Sequence, residues 1–319
     1  PPPPTPPTRQ TKGMWAHQYL QQANEINAEQ VDPHIWVTDG DQSTIFGLAP
    51  NYGCCTANFN QGWPKFTQRM LKSTPAGGVA VTMWGPVTGV LALVGGGNAT
   101  VAVATDYPFG DDATVTVTAP PGTPIALRMP SWATAATLSV NGAAATSVGT
   151  ANGTFYVVNA PAAVTTLVVA FNPAVRVALG VNASVSVYRG ALLYGLHIGE
   201  NFTTLATYAF QSADYAVTAT TPWNYALLLP DPAAPATAFN FTQLARPSVV
   251  PYNASSPPVQ IMATGRAILN WTEEINSSGY NPPSPTCTGA TTCGPLLPLT
   301  LVPFGSTHLR MSAIPYTTA

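Results

Sequence analysis

The chain has 319 residues, of which 46% are hydrophobic and 8% are charged, and its formal net charge is -2. This composition excludes an intrinsically disordered chain, which needs low hydrophobicity and high charge. Without an excess of Lys and Arg there is no surface suited to nucleic acid. The apolar runs are also far shorter than the roughly 18 residues of a membrane-spanning helix. The sequence therefore predicts a folded protein with no membrane span and no nucleic-acid partner.

The N-terminal part of the sequence predicts a tail followed by helices. Residues 1–12 are rich in proline, which favours extended polyproline II and indicates a linker or tail. From Gly13 to Gln30 the bulky residues recur every three or four positions, which predicts an amphipathic helix. A second short helix is predicted from Pro64 or Lys65 to Lys72.

The pattern changes from Gly77 onward to alternating apolar and polar residues, which is typical of strands. Turn signals such as Asn141-Gly142 and Asn152-Gly153 separate these runs and favour hairpins. We expect an antiparallel β-sandwich over residues 76–230, and Pro- and Asn-rich loops packed on it over residues 231–319. The predicted strands are Val79–Trp84, Thr100–Ala104, Ala113–Thr118, Thr137–Val140, Thr154–Val158 and Val164–Val169.

The four cysteines form two different pairs. Cys287 and Cys293 flank a five-residue Thr- and Gly-rich loop, and this spacing predicts a disulfide in an oxidising compartment. Cys54 and Cys55 are adjacent, so their Cα atoms lie about 3.8 Å apart, below the usual disulfide minimum of about 4.4 Å. We expect these two thiols to bind something or to stay reduced. Two thiolates can chelate one zinc ion, which would lower the thiol pKa and supply a nucleophile.

Eight Asn-x-Ser/Thr sequons favour a chain that passes through the secretory pathway, so we expect a secreted or extracellular glycoprotein. The alternative is that a Thr-rich chain contains sequons by chance. The acceptor residues are Asn98, Asn152, Asn182, Asn201, Asn240, Asn253, Asn270 and Asn276.

Several segments carry a resemblance to a known family. The stretch Gly47–Phe66, which contains Cys54 and Cys55, resembles the double-cysteine segment of eukaryotic β-L-arabinofuranosidases of glycoside hydrolase family 127 (GH127). The helix expected from Met14 also fits the segment before the cysteine pair, so the resemblance covers roughly residues 14–230. Further segments resemble the family in the same order: Thr105–Phe109, Leu127–Trp132, Leu138–Gly142 and Val187–Tyr194.

The resemblance implies a fold. The family combines a catalytic (α/α)6 barrel with β-sandwich modules that follow it. By this comparison the chain is mainly β, with an antiparallel β-sandwich preceded by a short helical remnant of the (α/α)6 barrel over residues 13–75.

The resemblance also implies an activity. It points to a retaining hydrolase of arabinose-containing glycans, in which a zinc-bound cysteine attacks the anomeric carbon. Carried over, Cys54 is the nucleophile and a zinc ligand, and Cys55 is a second zinc ligand. The family's site also uses a glutamate, a third cysteine and a second glutamate as acid/base, all upstream of the pair. Only Glu25 and Glu29 precede Cys54 here, without a third cysteine, so we expect the site to be incomplete in this chain.

Two alternatives stay open from the residues alone. The first is a non-catalytic β-sandwich module that binds glycans or supports a barrel. The second is a degenerate family member in which the double cysteine is structural, one thiol being buried and the other paired elsewhere.

Other chemically capable residues favour structural roles. We expect His17 and His34 to be ordinary surface or core groups, and His197 and Glu200 to form a solvated strand end. Asp39 and Asp41 flank a glycine and indicate a turn. The tryptophans of the sandwich region are expected in its core; they are Trp63, Trp84, Trp132 and Trp223.

Overall fold

The computed structural model describes residues 17–32, 39–47, 52–149, 153–209, 212–245, 252–253, 255–288 and 292–319. The predicted tail over residues 1–12 lies outside them. The fold is mainly β, as predicted. Two compact units make up the chain: a sandwich unit, Phe59–Ala174, and a flanking unit, which combines Pro1–Asn58 with Val175–Ala319. No helix in the described ranges is both long and apolar enough to cross a membrane.

The first part of the flanking unit consists of short strands, so the helix predicted from Gly13 to Gln30 is wrong over the described residues. Asn24 and Glu25 pair instead with Met311 and Arg310, from the other end of the sequence. In place of the helical segment expected over residues 13–75, the described residues of that range contain only two short helices. The elements here are β1 (His17–Gln18), β2 (Asn24–Glu25), β3 (Asn27–Ala28), β4 (Phe46–Gly47) and α1 (Gly53–Phe59).

The side chain of Asn24 explains why long-range pairing prevails over the helical spacing. Its Nδ2 donates to the carbonyl oxygen of Ala313 at 2.9 Å and to Oδ1 of Asn281 at 3.0 Å. Its Oδ1 accepts from the backbone N–H groups of Ser312 and Ala313. Asn has a weak helix propensity, and these buried hydrogen bonds are available only in the strand arrangement.

The sandwich unit contains one helix and two sheets. One sheet has the order β13-β10-β6-β5 and the other β12-β11-β14-β9-β8-β7; β6 and β10 are parallel, and the other pairs are antiparallel. Each of the six predicted strands overlaps an observed one, and α2 confirms the second predicted helix. The elements are α2 (Gly62–Met70), β5 (Leu71–Ser73), β6 (Val79–Val81), β7 (Val87–Ala92), β8 (Asn98–Ala104), β9 (Asp112–Thr118), β10 (Pro124–Arg128), β11 (Thr137–Val140), β12 (Thr146–Ser147), β13 (Phe155–Asn159) and β14 (Val164–Ala170).

A single apolar core lies between these two sheets. Alternate residues of β8 and β9 are buried, including Val101 and Val115, and they pack with Ile125 of the facing sheet. This period of two is what a strand with one buried face requires. Phe171, which is fully buried, stacks edge-on against Trp84 with ring centroids 5.0 Å apart.

The second part of the flanking unit is rich in strands, which corrects the expected domain boundaries. The region predicted as loops over residues 231–319 contains the two longest strands, β22 and β25. The strands are β15 (Val175–Leu179), β16 (Val185–Arg189), β17 (Leu192–His197), β18 (Glu200–Thr207), β19 (Ala213–Ala219), β20 (Tyr225–Leu228), β21 (Asn240–Gln243), β22 (Val259–Ile268), β23 (Glu273–Glu274), β24 (Ser277–Ser278), β25 (Cys293–Pro303), β26 (Arg310–Met311) and β27 (Tyr316–Thr317).

The prolines of β25 are the reason why the sequence predicts a loop for this segment. Pro295 and Pro298 lie in the half of β25 that pairs only with β22, whereas β17 pairs with Leu301, Val302 and Pro303. Proline lacks a backbone N–H and is tolerated where one side of a strand is unpaired.

These strands form two sheets of the flanking unit. A five-stranded sheet runs β1-β4-β19-β18, with β3 also paired to β19. A twelve-stranded sheet follows the path β23-β24-β2-β26-β17-β25-β22-β20-β27, with β16 joining β17 to β15 and with β21 beside β22.

A buried contact between Arg310 and Glu25 joins the two chain segments of the flanking unit. Nη1 of Arg310 lies 3.4 Å from Oε2 of Glu25, and each side chain is only 1% exposed. Gln18 donates to the other oxygen of Glu25. Burial raises the pKa of Glu25 to about 8, because Arg310 and Gln18 offset only part of the lost hydration.

A second pair involves His308, two residues before Arg310, and corrects one expectation. Glu200 is not part of a solvated strand end: its Oε2 lies 2.9 Å from Nδ1 of His308, with side-chain exposures of 10% and 16%. Its other oxygen accepts from the backbone N–H groups of His308 and Leu309. These bonds lower the pKa of Glu200 despite its burial. His197, by contrast, is exposed as expected.

Glu25 predicts a pH-dependent stability. Between pH 4.5 and about 8 the folded chain holds a proton on Glu25 that the unfolded chain has released. The free energy of unfolding should therefore fall as pH rises through this window, by at most about 1.4 kcal/mol per pH unit. Denaturant titrations at several pH values measure the slope.

The matched variant is Glu25→Gln, which keeps the shape of the side chain and cannot titrate. We expect its unfolding free energy to vary less with pH over the same window. An unchanged slope in this variant would show that other groups carry the pH dependence.

Candidate functional site

The adjacent cysteines lie on the first turn of α1. The backbone N–H of Cys55 donates to the carbonyl oxygen of Tyr52, which begins the turn. Both cysteines are free thiols; Cys54 is exposed and Cys55 is half-buried. Their sulfur atoms are 3.6 Å apart. The two thiols thus lie within hydrogen-bond distance of each other and form no disulfide.

A pair of tyrosines lies beside the cysteines. The rings of Tyr19 and Tyr52 are stacked, with centroids 3.8 Å apart and planes 9° from parallel. The hydroxyl of Tyr52 donates to the backbone carbonyl of Asp39. A hydrogen bond from Tyr19 to Cys55 links this stack to the thiols.

The electrostatics of the site raise the pKa of both Cys55 and Tyr19. Partial burial and the neighbouring Cys54 raise the pKa of the Cys55 thiol, and the hydrogen bond from Tyr19 opposes this rise. The charges of Cys55 and Asp39 in turn raise the pKa of Tyr19. A positive group placed against the sulfurs would reverse this balance.

Sequence reasoning missed the two tyrosines. Tyr52 is two residues before Cys54, so proximity alone could have suggested it. The sequence predicts Tyr19 on a helix, and no pattern in the neighbouring sequence connects it to the cysteines.

The geometry of the thiols suits two ligands of one metal ion. Two sulfurs bound to one tetrahedral zinc, each at about 2.3 Å, lie about 3.8 Å apart, close to the 3.6 Å observed. Across the part of the chain that the structure describes, no cluster of three or more His, Cys, Asp or Glu side chains could hold a metal. Cys54 and Cys55 therefore fit half of a zinc site, and the described residues do not complete it.

Of the remaining candidates, Asp39 lies beside Tyr52, whose hydroxyl donates to its backbone carbonyl. His34 belongs to the undescribed part, and His17 lies in β1. Gly40, between Asp39 and Asp41, has a φ of +87°, in agreement with a turn.

The tryptophans occupy different environments. Trp84 is buried in the sandwich core, as expected, but Trp63 is 72% exposed and stacks on Phe66. Trp132 is half-buried against Phe171, with ring centroids 5.8 Å apart. Trp223 contacts Trp271 edge-on in the flanking unit.

The disulfide predicted between Cys287 and Cys293 is present, with Cα atoms 5.6 Å apart.

Comparison with known proteins identifies the sandwich unit. In this fold two mainly antiparallel sheets enclose one core. Such a fold is found in many protein classes and does not by itself define a function. Residues 78–171 match the family described as "Beta-L-arabinofuranosidase, GH127 middle domain". This match agrees with the GH127 resemblance seen in the sequence and does not test the double-cysteine type. The match does not include Cys54 and Cys55.

Solved structures share the wider fold. A protein described as a glycoside hydrolase is 16% identical, with a TM-score of 0.58, and the alignment covers 92% of this chain and 44% of that one. The GH127 β-L-arabinofuranosidase Ara127N-Se from Geobacillus stearothermophilus T6 is 14% identical, with a TM-score of 0.52 and coverages of 80% and 35%. The GH127 β-arabinofuranosidase BT3674 is 15% identical, with a TM-score of 0.53 and coverages of 83% and 39%.

At these identities the likeness concerns the fold alone. The chain spans less than half the length of each of these structures. No curated protein matches its sequence.

The environments of the two thiols predict different reactivities. Because Cys54 is exposed, and because partial burial raises the pKa of Cys55, iodoacetamide should modify Cys54 first. Peptide mass spectrometry of the native protein over time measures both rates.

Cys287 and Cys293 provide the internal control, since a disulfide should resist modification until a reductant is added. Faster labelling of Cys55 than of Cys54 would contradict the environments described for the two thiols.

Proposed function

We propose that this chain is part of a secreted, retaining glycoside hydrolase that acts on β-L-arabinofuranosides, with Cys54 as its nucleophile. One observation carries the proposal: a GH127 middle domain follows, within the same chain, a helix that presents two free thiols on its first turn. The corresponding substrate is an arabinose-containing glycan.

The chemistry requires two displacements at one carbon. In the first, the sulfur of Cys54 attacks the anomeric carbon, the bond to the leaving oxygen breaks, and an acid protonates that oxygen. In the second, water attacks the same carbon, the carbon–sulfur bond breaks, and the water's proton passes to the conjugate base. Two inversions give net retention. The acid/base group would come from outside the described residues.

The side chains around Cys54 would prepare the thiol for attack. Cys54 is exposed, so a sugar can reach its sulfur without rearrangement of the core. Tyr19 holds the neighbouring sulfur by a hydrogen bond and is itself held by its stack on Tyr52. A zinc ion bound by Cys54 and Cys55, together with ligands from elsewhere, would supply a positive charge that keeps the nucleophilic sulfur deprotonated.

Secretion fits both the disulfide and the placement of the sequons. The Cys287–Cys293 bond suits an oxidising compartment. Among the described acceptors Asn253 is half-buried, and most of the others are exposed: Asn98, Asn182, Asn201, Asn240 and Asn270.

One sequon should remain unmodified in a folded, secreted protein. Asn276 is 2% exposed and its Nδ2 donates to the carbonyl oxygen of Glu29 at 2.7 Å. Attachment of a glycan to this nitrogen would break the bond and place the sugar in the interior. We expect glycopeptide mass spectrometry of the native protein to find glycans at exposed acceptors such as Asn201 and none at Asn276. A fully occupied Asn276, or no glycan at any acceptor, would contradict this proposal.

The nucleophile is tested by Cys54→Ser in the full-length natural protein. We expect hydrolysis of a β-L-arabinofuranoside to fall by at least about 10³-fold, because a serine hydroxyl remains protonated and is a far weaker nucleophile. Circular dichroism should show an unchanged fold. Initial rates with a chromogenic β-L-arabinofuranoside measure the loss, and metal analysis of Cys55→Ser should show reduced zinc content.

The matched control is the double variant Cys287→Ser/Cys293→Ser, which also removes sulfur but leaves the Cys54 environment intact. It should keep most of the activity. If Cys54→Ser lowers the stability of the protein but leaves its turnover unchanged, the double cysteine is structural. The degenerate or non-catalytic alternative is then correct.

A further inference from the structure

The sandwich unit contains a cavity of about 340 Å³ that the double-cysteine chemistry does not use. Every residue that lines it belongs to this unit. Its volume lies at the lower end of the range for small-ligand pockets and is large enough for one or two sugar rings. The residues that matter to its chemistry are Phe66, Trp84, Tyr107, Arg128, Ser131 and Trp132.

The aromatic walls are held in place by one core residue. Phe171 is fully buried, and the rings of Trp84, Tyr107 and Trp132 surround it at centroid distances of 5.0, 5.9 and 5.8 Å. Nε1 of Trp84 also donates to the carbonyl oxygen of Arg128 at 2.8 Å. Because these walls are fixed before a ligand arrives, binding costs little ordering of side chains.

Arg128 gives the cavity its charge. It is the last residue of β10, it is exposed, and its guanidinium forms no hydrogen bond or ion pair with any described residue. None of the described residues that line the cavity carries a carboxylate that could neutralise it. A planar guanidinium with unused donors recognises a carboxylate through two parallel hydrogen bonds.

We propose that this cavity binds an acidic sugar, a uronic acid residue of a glycan. The apolar C–H face of the sugar ring would pack on the aromatic walls, the carboxylate would pair with Arg128, and ring hydroxyls would reach Ser131. A neutral sugar leaves the guanidinium without an acceptor, and a small carboxylate without a sugar ring leaves the walls uncovered.

This proposal is independent of hydrolysis. It requires none of the chemistry of Cys54, and the cavity lies within the sandwich unit alone. The site would add affinity for acidic polymers to whatever reaction the protein performs. Its failure would not affect the proposed nucleophile, and loss of the nucleophile would not affect this site.

The test is calorimetric titration of the 319-residue chain, carrying Cys54→Ser to prevent any turnover, with digalacturonic acid. Its neutral counterpart, digalactose, has the same rings without the carboxylates. We expect the acidic disaccharide to bind at least about tenfold more tightly, the effect of a charge-assisted hydrogen-bonded pair. Arg128→Gln should remove this preference, and Trp132→Ala should weaken the binding of both disaccharides.

Arg69→Gln is the matched control, because Arg69 is an exposed arginine of the same unit that does not line the cavity. The Arg69→Gln variant should bind both disaccharides as the parent chain does. The proposal is overturned if the two disaccharides bind equally, if neither binds at millimolar concentration, or if Arg128→Gln and Arg69→Gln lower affinity alike. Equal binding of a hydroxycinnamate, an aromatic acid without a sugar ring, would also overturn it.

Discussion

The pairing of Asn24 and Glu25 with Arg310 and Met311 holds the flanking unit together. The first part of this unit reaches the second only through such long-range contacts, because the whole sandwich unit lies between them in sequence. Closing so large a loop costs entropy that local structure cannot repay. The buried contact between Glu25 and Arg310 adds little net stability, but removing either side chain would leave the other without its buried partner. The pairing therefore fixes which strands meet.

The sandwich could be predicted from sequence because its information is local. Val115 and Val117 alternate with threonines along β9, and this period of two is visible without any knowledge of the partner strand. The region around Asn24 could not be predicted in this way, since its partners are supplied by the far end of the chain. In β25 the difficulty was chemical: Pro295 and Pro298 are loop signals, and only the absence of a second neighbour makes them acceptable in a strand.

The candidate sites follow the same rule. Cys54 and Cys55 were evident because adjacency itself is informative, whereas Tyr19 reaches them from a separate segment. Likewise, Arg128 and Trp132 stand in one short stretch of sequence, but the cavity exists only because Phe171 gathers rings from three segments around itself. Residue types suggest chemistry, and tertiary packing decides which of them act together.

The interrupted flanking unit also imposes an order on biosynthesis. Residues 59–174 are continuous, so the sandwich has its complete core as soon as they leave the ribosome. Strands β2 and β3 must wait until β19, β24 and β26 have been made. During that interval β2 and β3 lack the partners that the described residues give them, and exposed strand edges readily join wrong ones. We therefore expect the early segment to depend on chaperones during synthesis, while the sandwich matures independently.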